Sequence, residues 1–360
     1  MLRTIFFVKT LLLVSLVSLF TQSCQRQIPE YHDDFLIFGT IMNITLYDVD
    51  EKLAQDAFRN MRTDLKAMHR AWHVWEPGPL MRTNKLLKTT EEFSAAPSVL
   101  DVIQVAKKLS IQSHDLFNPA IGELIALWGF HSNKQPTTSP PDAAIQQLLR
   151  QKPTMRDIEI RGVRMRSRNP AVKIDLGGVA KGFAIDRLLQ GLEEKGIHNA
   201  LINAGGDLKV IGRHGNRPWK VAIRDPRFDP KNKSENNQGV VASLDVMDNE
   251  AVFTSGDYER YVRNKNNKDK HLHHIIDPRT GYPAQGTESV TVLHHNASLA
   301  DAAATAIFIA GPTQWQEIAK DMGVTQVLLI DTNGNVHISK AMEARVKFEE
   351  KRKIVERAEL

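Results

Sequence analysis

Cysteine is almost absent from this chain of 360 residues, because Cys24 is the only one. A single thiol excludes an intramolecular disulfide framework and a metal centre built from several cysteines. An excess of one charge is also lacking, since 47 Lys and Arg residues stand against 42 Asp and Glu residues and give a net charge of +5. The two signs are interspersed rather than clustered, so we expect no nucleic-acid partner.

A long hydrophobic run is lacking as well. The apolar stretch 11–20 near the N-terminus is shorter than the about 20 residues that span a bilayer. Arg3 and Lys9 precede this stretch and Cys24 follows it, as in a lipoprotein signal whose cysteine becomes lipidated. Thr21 stands where such signals normally have Leu, and a plain cleaved signal with an incidental cysteine is the alternative. We expect a bacterial periplasmic protein, anchored by Cys24 to the inner or outer membrane.

The rest of the chain has an ordinary globular composition, with 42% hydrophobic and 25% charged residues. This composition excludes a collagen-like, coiled-coil, disordered or multi-pass membrane protein. Neither a repeat nor a clear internal linker is visible, which favours one large α+β domain. We expect a signal peptide over residues 1–23, a tether over 24–32, the main domain over 33–340, and a charged tail over 341–360. The tail is predicted to be an exposed helix or a frayed end.

Apolar periodicity predicts helices and strands throughout this domain. Strands or hairpins are expected at 35–47, 161–173, 173–176, 200–203, 208–211, 219–224, 239–246 and 326–330. Helices are expected at 51–72, 98–113, 118–128, 179–195 and 299–309.

The segment DLGGVAKG, residues 175–182, joins a predicted strand, a glycine turn and a helix start. Such a junction aims backbone N–H groups and a helix N-terminus at one point, which favours an anion such as phosphate. The order Lys-Gly without a following Ser or Thr excludes a Walker loop, and the GxGxxG spacing is missing. A turn that binds nothing is the alternative. The flanking Asp175 and Lys181 favour a ligand.

A second candidate site lies on the predicted 299–309 helix, which another helix follows after Gly311-Pro312; Asp301 and Thr305 are four positions apart and share one face. A carboxylate and a hydroxyl one turn apart are hard oxygen ligands, which suit Mg²⁺ better than zinc. In the alternative, Asp301 caps the helix start and Thr305 bonds back to the main chain.

Two polar turns complete the candidates. The segment TSGDYER, residues 254–260, is a weak signal by itself. The segment HHIIDPRTGYP, residues 273–283, could supply a general base and a charge clamp. A surface turn with hydrophilic side chains is the alternative for this second segment.

Taken in order, these motifs resemble the ApbE family of FAD:protein FMN transferases, which are periplasmic flavin-attaching lipoproteins. The resemblance covers about residues 35–338. It rests on FGT, NPAIG, IDLGGVAKGFAID, NAGGD, TSGDYER, HHIIDPRTGYP and LADAAATAIF, which occur in the family's order. It implies an α+β fold with antiparallel-rich sheets flanked by helices, a core related to the T-fold, and a single catalytic domain.

The resemblance also implies an activity and a set of site residues. The activity is Mg²⁺-dependent cleavage of FAD, in which FMN passes to a Thr or Ser hydroxyl of an acceptor protein and AMP leaves. His274 is the candidate general base, with His273 as a weaker candidate, and Asp257 is grouped with His274 as a catalytic residue that supports the site. The implied Mg²⁺ ligands are the main-chain oxygen of Gly178, Asp301 and Thr305. The implied FAD contacts are Phe38, Trp75, Leu116, Phe117, Asn118, Asp175, Lys181 and Ile275.

The chain departs from the family pattern at two places. Asn118-Pro119-Ala120 stands where family members usually have Asp-Pro-Thr. Residues 72–84 follow the family's pattern only loosely, and Trp75 is placed on its FAD-stacking aromatic position. Two other functions stay open: an Mg²⁺-dependent FAD pyrophosphatase that gives FMN and AMP, and a non-catalytic flavin-binding lipoprotein. By family analogy, we expect the acceptor to be a subunit of a membrane redox complex.

Overall fold

The computed structural model describes residues 28–131, 136, 138–228, 239–263, 271–349 and 352–360. The strands are β1 (Glu30–Ile37), β2 (Thr40–Tyr47), β3 (Phe93–Ser94), β4 (Ile158–Arg161), β5 (Arg164–Ser167), β6 (Ala200–Ala204), β7 (Asp207–Ile211), β8 (Trp219–Arg224), β9 (Val240–Val246), β10 (Ala251–Gly256), β11 (Tyr261–Arg263), β12 (His271–His273), β13 (Thr287–His294), β14 (Gln326–Asp331), β15 (Val336–Ser339), β16 (Val346–Phe348) and β17 (Ile354–Ala358). The helices are α1 (Glu51–Trp72), α2 (Pro79–Leu87), α3 (Pro97–Gln112), α4 (Gly122–Leu127), α5 (Asp142–Leu149), α6 (Ala180–Glu193), α7 (Ala297–Asp321) and α8 (Lys340–Glu343).

One nine-stranded sheet runs through the molecule in the order β1-β2-β6-β7-β10-β13-β14-β15-β17. Neighbouring strands are antiparallel, apart from the parallel pair β15 and β17. Smaller sheets are β3-β5-β4, β8-β9-β16 and β11-β12. The predicted α+β class with antiparallel-rich sheets is therefore confirmed.

Each face of the large sheet is covered by a different layer. Helices α1, α6 and α7 cover one face, where the main apolar cluster includes Phe253, Val290 and Phe308. The small sheet β8-β9-β16 covers the other face around β7 and β10, with Val210 and Val252 in the shared cluster. Strand β7 is consequently buried along its whole length. Its polar residues Asp207 and Lys209 are buried as well, because each forms an ion pair with a residue of α6.

Helices α6 and α7 approach each other closely at their N-terminal ends. A Cβ atom on Gly182 would lie 2.3 Å from the Ala297 carbonyl oxygen, so glycine is required at this crossing. The N-cap of α7 is Asn296, whose side-chain oxygen accepts from the Leu299 N–H at 2.7 Å. Asp301 therefore does not cap the helix, and the capping alternative raised above is wrong. The close crossing brings the first turns of both helices to one place.

Most of the predicted elements are confirmed, including the 35–47 hairpin and the 51–72 helix. The predicted 118–128 helix is shorter, Gly122–Leu127, because Asn118 forms a side-chain turn with the Ala120 N–H. The predicted 173–176 strand is wrong, since Lys173 makes only an isolated bridge with Ile121. The predicted 299–309 helix is the first part of α7, which bends at Gly311.

Both predicted ends of the domain need correction. Strand β1 begins at Glu30, so the last part of the predicted 24–32 tether belongs to the sheet. The predicted tail over 341–360 contributes β16 and β17, which pair with β9 and β15. Its charged side chains suggested solvent exposure, but several make ion pairs within the fold, such as Arg345 with Glu250. The predicted signal peptide and Cys24 lie outside the described residues, and no described helix is long and apolar enough to cross a membrane.

Candidate active site

A cavity of about 1100 Å³ opens between the β1–β2 hairpin, the end of α1 and the starts of α6 and α7. Its volume is at the upper end of the range for small-molecule pockets. The structure brings most of the predicted site residues together in its lining: Phe38, Trp75, Leu116, Phe117, Asn118, Asp175, Gly178, Lys181, His274, Ile275, Asp301 and Thr305. Asp257 and the weaker candidate His273 do not line it.

Three residues with possible oxygen ligands, Gly178, Asp301 and Thr305, line the cavity near the starts of α6 and α7. A Cβ atom on Gly178 would lie 3.3 Å from Thr305 Oγ1, so only glycine leaves this gap open. Thr305 Oγ1 donates to the Asp301 main-chain oxygen at 3.3 Å, as the back-bonding alternative predicted, and lies 3.2 Å from Ser255 Oγ. Asp301 Oδ2 accepts from the Gly182 N–H at 3.0 Å. The side chains of Asp301 and Thr305 are therefore held in place before any ligand arrives.

A buried ion pair lies beside these donors. Lys181 Nζ donates to Asp207 Oδ2, and Asp207 Oδ1 accepts from the Thr254 N–H at 2.9 Å. Burial alone would lower the pKa of Lys181, but the carboxylates of Asp207 and Asp301 outweigh this effect and raise it above the ordinary value. Lys181 is therefore a permanent positive charge. The sequence analysis missed Asp207 as a site residue, although the NAGGD motif contains it.

The surroundings of Asp301 disfavour the ionised form of its side chain. Burial raises its pKa above the usual range, and the neighbouring Asp207 carboxylate adds to this rise, while Lys181 opposes it. Two carboxylates against one lysine leave a local deficit of positive charge that a bound cation would balance. Among the described residues, no group of three or more His, Cys, Asp or Glu side chains could hold a metal. One carboxylate with neutral oxygens suits a hard cation that shares its coordination with a substrate.

The two adjacent histidines occupy different environments. His273 is buried, with Nε2 2.9 Å from the Ala284 carbonyl oxygen and Nδ1 accepting from the Ile275 N–H at 3.3 Å. His274 lines the cavity, and its buried Nδ1 has no hydrogen-bond partner within the described residues. Burial, with the nearby positive charge of Arg260 and Lys181 and the neighbouring His273, lowers the pKa of His274 to about 3. His274 is therefore neutral near pH 7 and can accept a proton.

Aromatic rings form another part of the cavity lining. Phe38 stacks on Trp72 with ring centroids 5.8 Å apart and an angle of 13° between the planes. Phe38 has φ 51° and Gly39 has φ 74°, which makes the two-residue β1–β2 connection a type I′ turn. Trp75 lies under Lys173 Nζ, which is 4.0 Å from its ring centroid. Phe38 is not a glycine, so its left-handed backbone conformation is strained, and strained residues of this kind are concentrated at ligand sites.

The loop that carries Leu116, Phe117 and Asn118 is organised by its own hydrogen bonds. Ser113 Oγ accepts from the Phe117 N–H at 3.1 Å. Asn118 donates from Nδ2 to the Pro153 carbonyl oxygen at 3.0 Å and accepts at Oδ1 from the Ala120 N–H at 3.0 Å. The Asn118 amide thus holds the loop in place. Asn118 stands where the family pattern has Asp, and its side-chain oxygen still forms the turn with the Ala120 N–H.

Asp175 and Asp257 differ in their access to the cavity. Asp175 lines it, and its Oδ1 accepts from the Gly177 N–H at 2.8 Å within the glycine turn. Asp257 is buried behind the wall, where its two oxygens accept from Arg227 at 2.7 and 2.6 Å. Its grouping with His274 as a catalytic residue that supports the site stays a prediction.

Comparisons with known proteins agree with this geometry. The ApbE family model matches residues 38–329. A protein of Rhodobacter capsulatus named FAD:protein FMN transferase is 40% identical over 318 residues, which are 88% of this chain and 58% of that protein. This chain thus spans less than two thirds of that relative. A protein of the same name from Escherichia coli is 26% identical, with 82% of this chain and 83% of that protein covered.

Solved structures show the same fold. The crystal structure of the ApbE protein from Thermotoga maritima superposes with a TM-score of 0.77 at 29% identity and covers 90% of this chain and 100% of that one. The flavin transferase ApbE from Vibrio cholerae superposes with a TM-score of 0.75 at 24% identity, covering 88% and 99% of the two chains.

Proposed function

The chain belongs to the ApbE family, and we propose on this premise that it transfers FMN from FAD to an acceptor protein, releasing AMP. Relatives that are similar over most of this chain carry that activity in their names. The single observation that carries the proposal is the meeting of Asp301, Thr305 and Gly178 beside Lys181 in a cavity with an aromatic mouth. Oxygen donors and a cation deep in the cavity suit a diphosphate, and the aromatic rings at its mouth suit the planar ring systems of FAD.

We extend the proposal to a divalent cation, Mg²⁺. The residues fit such an ion, because their donors are all oxygens and a Cβ at Gly178 would fill the space next to Thr305 Oγ1. The Asp301 carboxylate, the Thr305 hydroxyl and the Gly178 main-chain oxygen would hold it. When bound there, the ion would neutralise charge on the diphosphate oxygens.

The chain's own side chains supply the remaining chemistry of phosphoryl transfer. His274 lines the cavity and is neutral, so we assign it to take the proton from the attacking hydroxyl. Lys181 is held by Asp207 as a fixed positive charge for the departing phosphate. The stacked rings of Phe38 and Trp72, with Trp75, orient the substrate's aromatic systems.

The acceptor and the cellular location belong to the proposal too. The acceptor group is a Thr or Ser hydroxyl on a subunit of a membrane redox complex, and the site of action is the periplasm. Cys24, as a lipidated residue, would anchor the domain in the inner or outer membrane. Glu30, where β1 begins, follows Cys24 by six positions, so the anchor would keep this end of the sheet within about 20 Å of the lipid.

Incubating the mature chain with FAD and Mg²⁺, with and without an acceptor, separates this function from its alternatives. A transferase releases AMP only in step with flavin attachment, read as a mass increase of the acceptor. Release of AMP and free FMN without an acceptor supports the pyrophosphatase alternative. Retention of intact FAD in every mixture leaves the flavin-binding alternative and contradicts both reactions.

A further inference from the structure

The side chains on the outward face of the β1–β2 hairpin become apolar towards its turn. Besides Glu30 with Tyr47 at the open end, three of its cross-strand pairs carry side chains on the outward face. His32 Nδ1 lies 3.0 Å from Thr45 Oγ1, and Asn43 Nδ2 donates to Asp34 Oδ1 at 2.7 Å. The third pair, next to the turn, is Leu36 with Ile41, and both are aliphatic. An outward face that is otherwise polar thus ends in an apolar pair.

This aliphatic pair is unusually exposed. Leu36 is 82% exposed and Ile41 55%, whereas Ile37 and Met42, on the other face of the same strands, are buried. Isolated exposed apolar residues are common, but two that are directly paired across a hairpin form a compact patch without an internal packing role. The hairpin does not need them for its register, which the buried face and the type I′ turn determine.

The patch lies at the mouth of the cavity. Leu36 itself is part of the cavity lining, as are the turn residues Phe38 and Gly39. Gly39 packs against Arg260, since a Cβ on this glycine would lie 2.5 Å from Arg260 Nη2. The mouth is therefore bordered by an apolar pair on the hairpin and by a positive charge next to it. A macromolecule that inserts a hydroxyl into the cavity has to pass this border.

We propose that Leu36 and Ile41 form a docking surface for the acceptor protein, which buries an aliphatic side chain against them beside its reactive Thr or Ser. This inference rests on the proposed transferase function. Ile41 does not line the cavity, so FAD bound there would leave this side chain exposed on the outward face of the hairpin. The acceptor is the one participant in the reaction that must remain outside the cavity while its hydroxyl enters.

Site-specific cross-linking tests this proposal in cells. The full chain carries p-benzoylphenylalanine in place of Leu36, Ile41 or Val163 and is irradiated in a bacterial host, and covalent flavin is read by in-gel fluorescence. Val163 is a matched control, since it is 56% exposed in the β4–β5 turn and does not line the cavity. The expected result is a flavin-fluorescent cross-linked band from positions 36 and 41 and none from position 163.

The outcomes separate this proposal from the transferase function beneath it. Flavin-labelled acceptor without a cross-link at either hairpin position, or with an equal one at Val163, overturns the docking surface and leaves the transferase intact. If no host protein gains flavin in the presence of the wild-type chain, the transferase function has failed, and the docking surface with it.

Kinetics with the acceptor protein before flavin attachment give a second readout. Ile41→Ser should raise the KM for the acceptor about tenfold, because this exposed side chain loses the apolar area that the acceptor would bury. Since Ile41 neither packs in the core nor lines the cavity, folding and the Kd for FAD should be unchanged, and Val163→Ser should alter none of these values. A fall in FAD affinity that matches the change in KM would assign Ile41 to the FAD site and overturn the proposal.

Discussion

The inner wall of the cavity (Lys181, Asp207, Asp301 and Thr305) and its rim (Leu36, Phe38, Trp72 and Trp75) are built in opposite ways. The inner wall stands on regular elements, and its polar groups bond to protein partners such as the Gly182 and Thr254 N–H groups. The rim depends on a strained two-residue turn and on the end of a helix, and its contacts are apolar.

This difference separates two tasks. Charged groups held by hydrogen bonds on helices and strands keep their positions during a reaction, which is what stabilisation of developing charge requires. Apolar rings at a turn provide area for stacking and can adjust to different partners. We therefore expect changes in the inner wall to act on the rate, and changes in the rim to act on binding.

Asp301→Ala should have the largest effect. It removes the one side-chain carboxylate of the proposed cation site, so we expect kcat to fall by more than about 1,000-fold while FAD still binds through the rim. Release of AMP measures the rate, and FAD fluorescence quenching measures binding. Asp101→Asn, on the exposed surface of α3, is the control. If Asp301→Ala turns over within tenfold of the wild-type rate, the proposed difference between the inner wall and the rim is contradicted.

His274→Ala should reduce kcat by about 100- to 10,000-fold, the usual contribution of a positioned base. Its pKa of about 3 also predicts that protonation of His274 does not lower kcat/KM between about pH 8 and 5. The neighbouring His273→Ala should instead destabilise the fold by about 1–3 kcal/mol, because it leaves buried partners of both ring nitrogens unsatisfied. Urea unfolding of both variants, alongside AMP release, tests the contrast. Equal loss of stability in the two variants would contradict it.

Asp207→Asn should cost about 3 kcal/mol of folding stability, because it leaves the positive charge of Lys181 without its closest partner in a largely buried site. The pair of Lys209 with Asp186 joins the same strand and helix without lining the cavity, which makes Asp186→Asn a matched control. Both variants should unfold at lower urea concentration, but only Asp207→Asn should also slow turnover. If Asp186→Asn slows turnover equally, the Lys181 pair has no special part in the inner wall.

Phe38→Asn should have the smallest effect. Asparagine tolerates the left-handed conformation of the turn, so the hairpin is retained while the ring stacked on Trp72 is lost. We expect the KM for FAD to rise about tenfold with kcat nearly unchanged, as for the loss of one aromatic contact. Phe38→Tyr keeps the ring and should behave as wild type. A fall in kcat at unchanged KM would place Phe38 with the inner wall.

The sequence made the inner wall easier to predict than the rim. Asp301 and Thr305 are one helical turn apart, so the spacing alone places them on one face. Asp207 escaped notice because its partner Lys181 is 26 positions away, and only the packing of α6 on β7 brings them together. The stacking of Phe38 on Trp72 similarly depends on how the hairpin meets α1, which no local pattern encodes.

For the C-terminal segment, the charge composition led to a wrong prediction of the backbone structure. Its many charges predicted an exposed tail, yet the alternation around Ile354 and Arg357 belongs to a strand that closes the edge of the large sheet. Charge composition described the outward side chains correctly and gave no information on the backbone pairing. Strand β10 was missed for a related reason, since the polar residues Thr254 and Ser255 that follow Val252 suggested a turn.

Binding of Mg²⁺ to the FAD-saturated protein tests the central claim most directly. Titration calorimetry on the wild type and on Asp301→Ala reports the ion without relying on turnover. Our account predicts about one Mg²⁺ per chain for the wild type and a loss of this binding in the variant. Equal Mg²⁺ affinity in the two proteins would contradict the proposed cation site on the inner wall.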